Sequence, residues 1–269
     1  MLPIYTAFAI NVFAIEGGAS QPCIMSVMDE NGDYLPHEFV VKVYQQHNRK
    51  NTYHEVFGSI LADCFELPTP QPALIQVPNN LISEIKSHEK YKNWNIEAGV
   101  YFGCQYIPNA MSFNENFPIN QYENWICESI FAFDVLIRNY DRQNQKPNLL
   151  AFKDDLYVID HKMAFASIKN DPLKVYLSLD NWQFIINGHR GGHVLRNHLK
   201  KIDKKNKIDF ADFFENFRTL QPDLLYSYVE QLIEKDVEMF DIQAIVLYLR
   251  SIKQNTTIFK THLENLLRN

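Results

Sequence analysis

Apolar and polar residues follow different rhythms in the two halves of the chain. Within the first fifteen residues Tyr5, Phe8, Ile10, Val12, Phe13 and Ile15 are β-formers, which predicts one or two strands. The apolar runs 24–28 and 39–44 flank Asp29-Glu30-Asn31-Gly32-Asp33, the pattern of two strands joined by a hairpin turn. Val56, Ile60, Leu61 and Cys64 repeat at helical spacing and predict a helix over 53–65. Pro68, Pro70 and Pro72 alternate, forcing an extended segment that leads into a strand over 73–77. A further strand is expected over 100–107, closed by Pro108-Asn109. Beyond residue 108 the period lengthens. Trp125, Ile126, Ile130, Phe133, Leu136 and Ile137 share one broad face of a helix over 122–138. A polar loop over 139–148 and a short apolar hairpin follow. Helices are then expected over 193–202, 210–220, 223–235 and 241–253, with a last amphipathic one to Leu267. The pattern predicts an α+β protein with a β-rich part over 1–107 and a mostly helical part over 108–269.

Composition narrows the class. Of 269 residues, 46% are hydrophobic and 22% charged, a globular balance that excludes disorder, collagen and a coiled-coil rod. Phe (19) and Tyr (14) far outnumber Gly (9), so the core is bulky and aromatic. A net charge of −6 gives no reason to expect nucleic acid or an anionic membrane as the main partner. Cys23, Cys64, Cys104 and Cys127 lack CxxC spacing and read as reduced thiols rather than a disulfide frame or zinc site. The apolar N-terminus has no basic n-region or small-residue cleavage site, and no run reaches the ~18 apolar residues of a membrane span. A cytoplasmic protein with no membrane partner is expected.

Candidate chemistry sits in the polar loop and the hairpin after it. If Lys153-Asp154-Asp155 is a three-residue turn, Phe152 faces Leu156, Leu149 faces Ile159, and Asn148 lies opposite Asp160. A carboxamide oxygen and a carboxylate then meet at the open end of the hairpin. Hard cations such as Mg²⁺ take oxygen ligands of this kind, few from protein and the rest from phosphate and water. Asp141, in the loop just before, is placed to receive or orient the proton of a hydroxyl. Taken singly, each of these residues is also an ordinary turn former.

Upstream, Lys42 lies in the strand Phe39-Val40-Val41-Lys42-Val43-Tyr44 between β-branched neighbours. An unpaired buried ammonium is costly, so such a lysine is either at a wet edge or held by an anion. Glu55 on the following helix is the available carboxylate. Thr52-x-x-Glu55 equally fits a capping box, in which Glu55 bonds the backbone of Thr52. Glu16-Gly17-Gly18-Ala19-Ser20-Gln21-Pro22 is a Gly-pair turn whose backbone amides can approach phosphate oxygens, or a plain hairpin. In series, a Gly-rich turn, a strand lysine, a helix glutamate, a loop aspartate, an Asn before a hairpin and an Asp after it match the parts of a phosphoryl-transfer enzyme.

With these residues in place, the chain resembles the HipA-like kinases, in particular the short stand-alone ones. The resemblance is carried by Phe133-Asp134-Val135-Leu136-Ile137-Arg138-Asn139-Tyr140-Asp141-Arg142, by Pro147-Asn148-Leu149-Leu150, and by Ile159-Asp160-His161 with Ala164-Phe165. Phosphoinositide kinases share the Asp-Arg and Asn core. The N-terminal matches are Gly17 to Pro22, Val41-Lys42, Glu55, Leu67-Pro68-Thr69-Pro70 and Tyr101-Phe102-Gly103-Cys104-Gln105-Tyr106. The likeness covers roughly residues 5–200.

The resemblance implies a two-lobed protein-kinase-like fold, with an N-lobe over 1–107 and a helical C-lobe over 108–269, using ATP and Mg²⁺. It implies Asp141 as the catalytic aspartate and Asn148 and Asp160 as metal ligands. Lys42 would hold the nucleotide phosphates and Glu55 position it. Gly17, Gly18 and Ser20 would cover the phosphates, Gln105, Tyr106 and Ile107 would meet the adenine, and Asp134 would fix the loop. The family commonly has Asn where this chain has Lys146, which would pair with a phosphate or displace a second metal ion. Family members proper are longer, with an extra N-terminal subdomain for which this chain has no room. The implied activity is that of a serine/threonine protein kinase, the toxin of a toxin–antitoxin pair with a small neutralising partner. An aminoacyl-tRNA synthetase or another translation protein would be its substrate. The alternatives are a nucleotide-binding pseudokinase that docks a partner, and a small-molecule or lipid kinase. His189, His193 and His198 match no zinc spacing and read as structural or solvent-exposed, and Lys200, Lys201, Lys204, Lys205 and Lys207 as a solvated helix end, with an acidic partner or RNA as the alternative. Ser20 is an autophosphorylation candidate only as a secondary reading.

Overall fold

The computed structural model describes residues 1–13, 15, 22–44, 51–114, 117–168, 192–203, 208–237 and 242–268. Gly17, Gly18, Ser20 and His189, with Lys204, Lys205 and Lys207, lie outside the described residues. The chain divides into two compact units, neither continuous in sequence.

The first unit comprises Met1–Val56, Pro70–Pro108 and Tyr226–Phe240. Five strands close into a small barrel: β1 (Ile4–Val12), β2 (Cys23–Met28), β3 (Phe39–Val41), β4 (Pro72–Val77) and β5 (Gly99–Gln105), in the order β1-β2-β3-β5-β4. All pairs are antiparallel except β1 with β4, which closes the barrel in parallel through Ile4↔Leu74 to Thr6↔Gln76. Closing so few strands needs strong local curvature. The β1–β2 ladder supplies it through register shifts at Ala7/Ala9 and Ile10/Val12. Pro72 opens β4, the strand position at which a missing N–H is tolerated. The turn after β2 is held by Asp29, whose Oδ1 accepts from the amides of Asn31 and Asp33 (both 2.9 Å), with Gly32 at φ 87°. Its second arm touches back at Tyr34, and the β3 ladder resumes only at Phe39.

Phe39, Val41 and Val43 point into the barrel core with Met25, Val27, Ile75 and Tyr101. Lys42, between Val41 and Val43, therefore faces the other way. Helix α1 (Asn51–Cys64) begins in this unit and runs into the second. Helix α2 (Asn79–Ser87), absent from the sequence expectation, buries Leu81, Ile82 and Ile85 in the barrel cluster. Helix α6 (Tyr226–Glu234) also belongs here. The Gln231 carboxamide accepts from the Leu2 amide (3.0 Å) and donates to its carbonyl (2.8 Å), as a paired strand would.

The second unit comprises Phe57–Thr69, Asn109–Leu225 and Asp241–Asn269. Its axis is the helix α3 (Asn124–Ile137), buried from Ile126 to Ile137. Around it lie α4 (Arg196–Asp203), α5 (Ala211–Thr219), α7 (Ile242–Gln254) and α8 (Thr256–Arg268). Phe65, Phe133, Phe213, Phe217 and Phe259 form a continuous aromatic cluster, with ring centroids 4.8 to 6.3 Å apart. This is where the surplus of phenylalanine goes. A three-stranded sheet, β6 (Met111–Ser112), β7 (Leu149–Phe152) and β8 (Asp155–Val158), carries the hairpin. No described helix is long and apolar enough to cross a membrane.

The β7–β8 register differs from expectation by one step. Leu149 pairs with Val158, Ala151 with Leu156 and Phe152 with Asp155, leaving a two-residue turn, Lys153-Asp154. Lys153 adopts φ 55°, the left-handed conformation that tight hairpins require, so Asp155 is released into the strand. Asn148 is consequently opposite Ile159, whose amide donates to the Asn148 carbonyl (3.1 Å), and Asp160 is one step beyond.

Candidate active site

Helix α3 stops because Arg138 turns left-handed (φ 58°, ψ 35°) at its C-cap and returns its amide to the Asp134 and Val135 carbonyls. The chain then wraps around the Asp134 carboxylate, which is fully buried. Three donors reach it: Asn139 Nδ2 (3.1 Å), Arg142 Nε (2.5 Å) and His193 Nε2 (2.9 Å). Burial pushes this carboxyl up, but the Arg142 guanidinium and His193 outweigh it and hold it below the usual carboxylate range. Arg142, itself 1% exposed, also donates through Nη1 to the carbonyls of Asn148 and of Ile159 (the latter at 3.2 Å). One side chain thus ties the end of α3 to both strand ends of the hairpin.

The consequence falls on the polar groups around this knot. Asn148 (φ 50°) and Asp160 (φ 60°) both leave the ladder in the left-handed conformation, an uncommon pair of non-glycine residues. Asn148 Nδ2 donates to the Asp141 carbonyl (3.3 Å), which brings the backbone of the 139–148 loop to the hairpin end. Asp141 and Asp160 are then bridged by one ammonium: Lys146 Nζ is 2.6 Å from Asp141 Oδ2 and 2.8 Å from Asp160 Oδ2. Lys162 Nζ approaches the same two oxygens at 3.6 and 3.3 Å. The four side chains are 11–18% exposed, so solvent reaches them but screens them weakly. Burial lowers the Lys146 pKa, yet Asp160 and Asp141 overcome it and raise the group above its ordinary value. Burial together with neighbouring Lys146 lowers that of Lys162, despite Asp160.

Sequence reasoning overlooked Lys162, two residues past Asp160, because nothing in the strand pattern says where the chain turns after the hairpin. His193 is structural, as one of its two sequence readings had it, but its partner Asp134 is 59 residues away, so no local signal named it. Another overlooked residue is Gly58, on α1. A Cβ there would lie 2.3 Å from His161 Cβ and 2.6 Å from Cγ, so the helix can pass over the residue after Asp160 only as glycine. The clash must move α1 or the 160–162 turn. Gly58→Ala should therefore lower stability by about 1–3 kcal/mol, read as a fall in the denaturation midpoint. An unchanged midpoint would mean that the turn yields freely.

In the first unit, Lys42 Nζ forms an ion pair with Glu55 Oε1, and Tyr44 OH donates to the same oxygen (3.2 Å). Helix α1 begins at Asn51, so Thr52 is inside it rather than at its N-cap, and of the two sequence readings of Glu55 the ion pair is the one found. The Lys42 amide donates to the Phe102 carbonyl (3.0 Å), extending the β3–β5 pairing one residue beyond the ladder. In the 105–107 segment, the Gln105 amide donates to the Gln71 carbonyl (2.9 Å) and the Tyr106 amide to the Glu38 carbonyl (2.8 Å). Both donors are engaged within the barrel unit.

The donor set near Asp160 fits a hard divalent cation. Asn148 offers a carboxamide oxygen, its nitrogen being turned to Asp141, and Asp160 a carboxylate. Among the described residues no three His, Cys, Asp or Glu side chains form a metal-ligating group. A cation here would take most of its ligands from phosphate and water.

The sequence signature of the HipA-like kinases matches residues 12–187. The chain belongs to the HipA-like kinase family. This HipA-like kinase contains both α and β structure, including a small closed sheet. It is similar to the crystal structure of the Helicobacter pylori proinflammatory kinase CtkA, at 13% identity and a TM-score of 0.48 over 100% of this chain and 99% of that one. It is also similar to an apo pseudokinase structure, at 10% identity and a TM-score of 0.32 over 94% of this chain and 97% of that one. No curated protein matches it.

Proposed function

We propose that this HipA-like kinase is an ATP- and Mg²⁺-dependent protein serine/threonine kinase. The observation that carries the reading is the Arg142 knot, which presents Asp141, Asn148 and Asp160 together at the open end of one hairpin. On this reading the barrel unit serves as N-lobe and the helical unit as C-lobe. Asp141 orients the substrate hydroxyl and accepts its proton, and Asn148 and Asp160 hold Mg²⁺. The bound metal would neutralise charge on the nucleotide's phosphates. Lys42, kept in place by Glu55, and Lys146 bind phosphate oxygens. Gly17, Gly18 and Ser20 supply the covering turn, and the 105–107 segment meets the base, with Ile107 as its amide donor since those of Gln105 and Tyr106 are bonded to Gln71 and Glu38. The chain's own contribution is positioning and fixed charge. We further place it as the toxin of a toxin–antitoxin pair, with a translation protein such as an aminoacyl-tRNA synthetase as substrate and a small neutralising partner.

A second reading, a nucleotide-binding pseudokinase that docks a partner, is favoured by one observation: both Asp141 and Asp160 are already engaged by lysines. Incubation of the pure protein with labelled ATP and Mg²⁺, alone and with cell lysate, separates the two. Transfer of label to the protein or to a lysate component, on Ser or Thr, is expected. Nucleotide binding with no transfer would replace the kinase by the docking module.

A further inference from the structure

The two lysines that share the Asp141 and Asp160 oxygens are placed where cationic charge is needed and where metal ions would otherwise supply it. Lys146 Nζ touches both carboxylate oxygens within ordinary charge-assisted hydrogen-bond distance, and Lys162 Nζ lies within 3.6 Å of each. They come from different segments, the loop before β7 and the turn after β8, and converge on one pair of oxygens. Arg142 holds the backbone where both segments meet the hairpin, through the Asn148 and Ile159 carbonyls. A metal ion bridging Asp141 and Asp160 would have to occupy the space Lys146 fills. An ion held through the Asn148 oxygen need not occupy that space; the Asn148 nitrogen is the atom turned to the Asp141 carbonyl.

We infer that Lys146 and Lys162 replace one metal ion of the site. This HipA-like kinase would then bind a nucleoside triphosphate with a single divalent cation, the two ammoniums taking the charge of a second. The inference rests on the kinase reading above. A lysine is tethered and cannot be chelated, so part of the phosphate affinity should survive removal of divalent ions. The alternative arrangement, with two metal ions and no lysine, would lose nearly all of it.

The test uses the full chain with a non-hydrolysable ATP analogue and Mn²⁺ as a paramagnetic stand-in for Mg²⁺. Titration followed by electron paramagnetic resonance should count one nucleotide-dependent ion per chain in the wild type. Lys146→Asn, which removes the bridging ammonium and supplies an oxygen ligand, should raise the count to two. In EDTA, the wild type should keep measurable affinity for the analogue, and Lys146→Gln with Lys162→Gln should lose about tenfold or more of it. Two ions in the wild type, or one in both wild type and Lys146→Asn, would overturn the inference while leaving the kinase reading standing. Nucleotide binding with no ion in either protein would overturn the metal roles of Asn148 and Asp160, and the inference with them. Circular dichroism of each variant distinguishes a lost site from a lost fold.

Discussion

Asp141→Asn should reduce phosphate transfer by roughly 10²–10⁴-fold, the usual worth of a positioned general base. The carboxamide keeps the shape of the side chain but can neither accept the hydroxyl proton nor carry the charge that orients it. Binding of nucleotide should change far less, because Asp141 offers nothing to the phosphates except repulsion. Its Oδ2 is the oxygen that draws Lys146 and Lys162, so the variant frees those ammoniums and affinity should hold or rise. Label incorporation and calorimetric titration of the analogue separate the two effects. Transfer at the wild-type rate would remove Asp141 from the reaction, and a matching collapse of nucleotide binding would make it a ligand instead.

The second large effect concerns stability. Arg142→Leu should cost about 3–5 kcal/mol, because it strands the fully buried Asp134 carboxylate and unties both strand ends. The effect should depend on pH in a defined direction. In the wild type the Asp134 pKa is lowered on folding, so the pair's contribution is complete above the unfolded carboxyl pKa of about 4 and is lost as pH falls through the lower folded value. Without the guanidinium the carboxyl loses the largest of the groups that offset burial, and in the folded variant it titrates higher than in the wild type. The gap between variant and wild type should be widest near pH 7 and narrow on acidification below about pH 4. Denaturant titrations at the two pH values measure it. A gap under 1 kcal/mol at pH 7, or one that widens in acid, would contradict the role given to Arg142.

Much of the fold was legible because each strong element carried its own period. The helix over 122–138 is found at Asn124–Ile137, and the strand over 73–77 at Pro72–Val77. Helix α2 was legible too: Pro78 precedes it, and Leu81, Ile82 and Ile85 have helical spacing. It was passed over because it is short and mostly polar. The hairpin register turned on whether two or three residues form the turn, which composition does not decide when a lysine takes the left-handed position. Asn148 and Asp160 still lie at the same end, since both sit beyond the last ladder pair and a one-step slip changes their facing partner rather than their position. What the sequence could not display was which later residues reach back to the Asp134 and Asp160 carboxylates. Lys162 depends on how the chain folds back after Asp160, and the His193 contact with Asp134 joins residues 59 apart.

The bond pair between Gln231 and Leu2 has a bearing on how the protein is born. A ribosome delivers the barrel strands first, yet the unit to which they belong includes residues 226–240. Vectorial synthesis can therefore form that unit only in part until most of the message has been read, and a nascent chain halted before Tyr226 would carry an unfinished barrel unit.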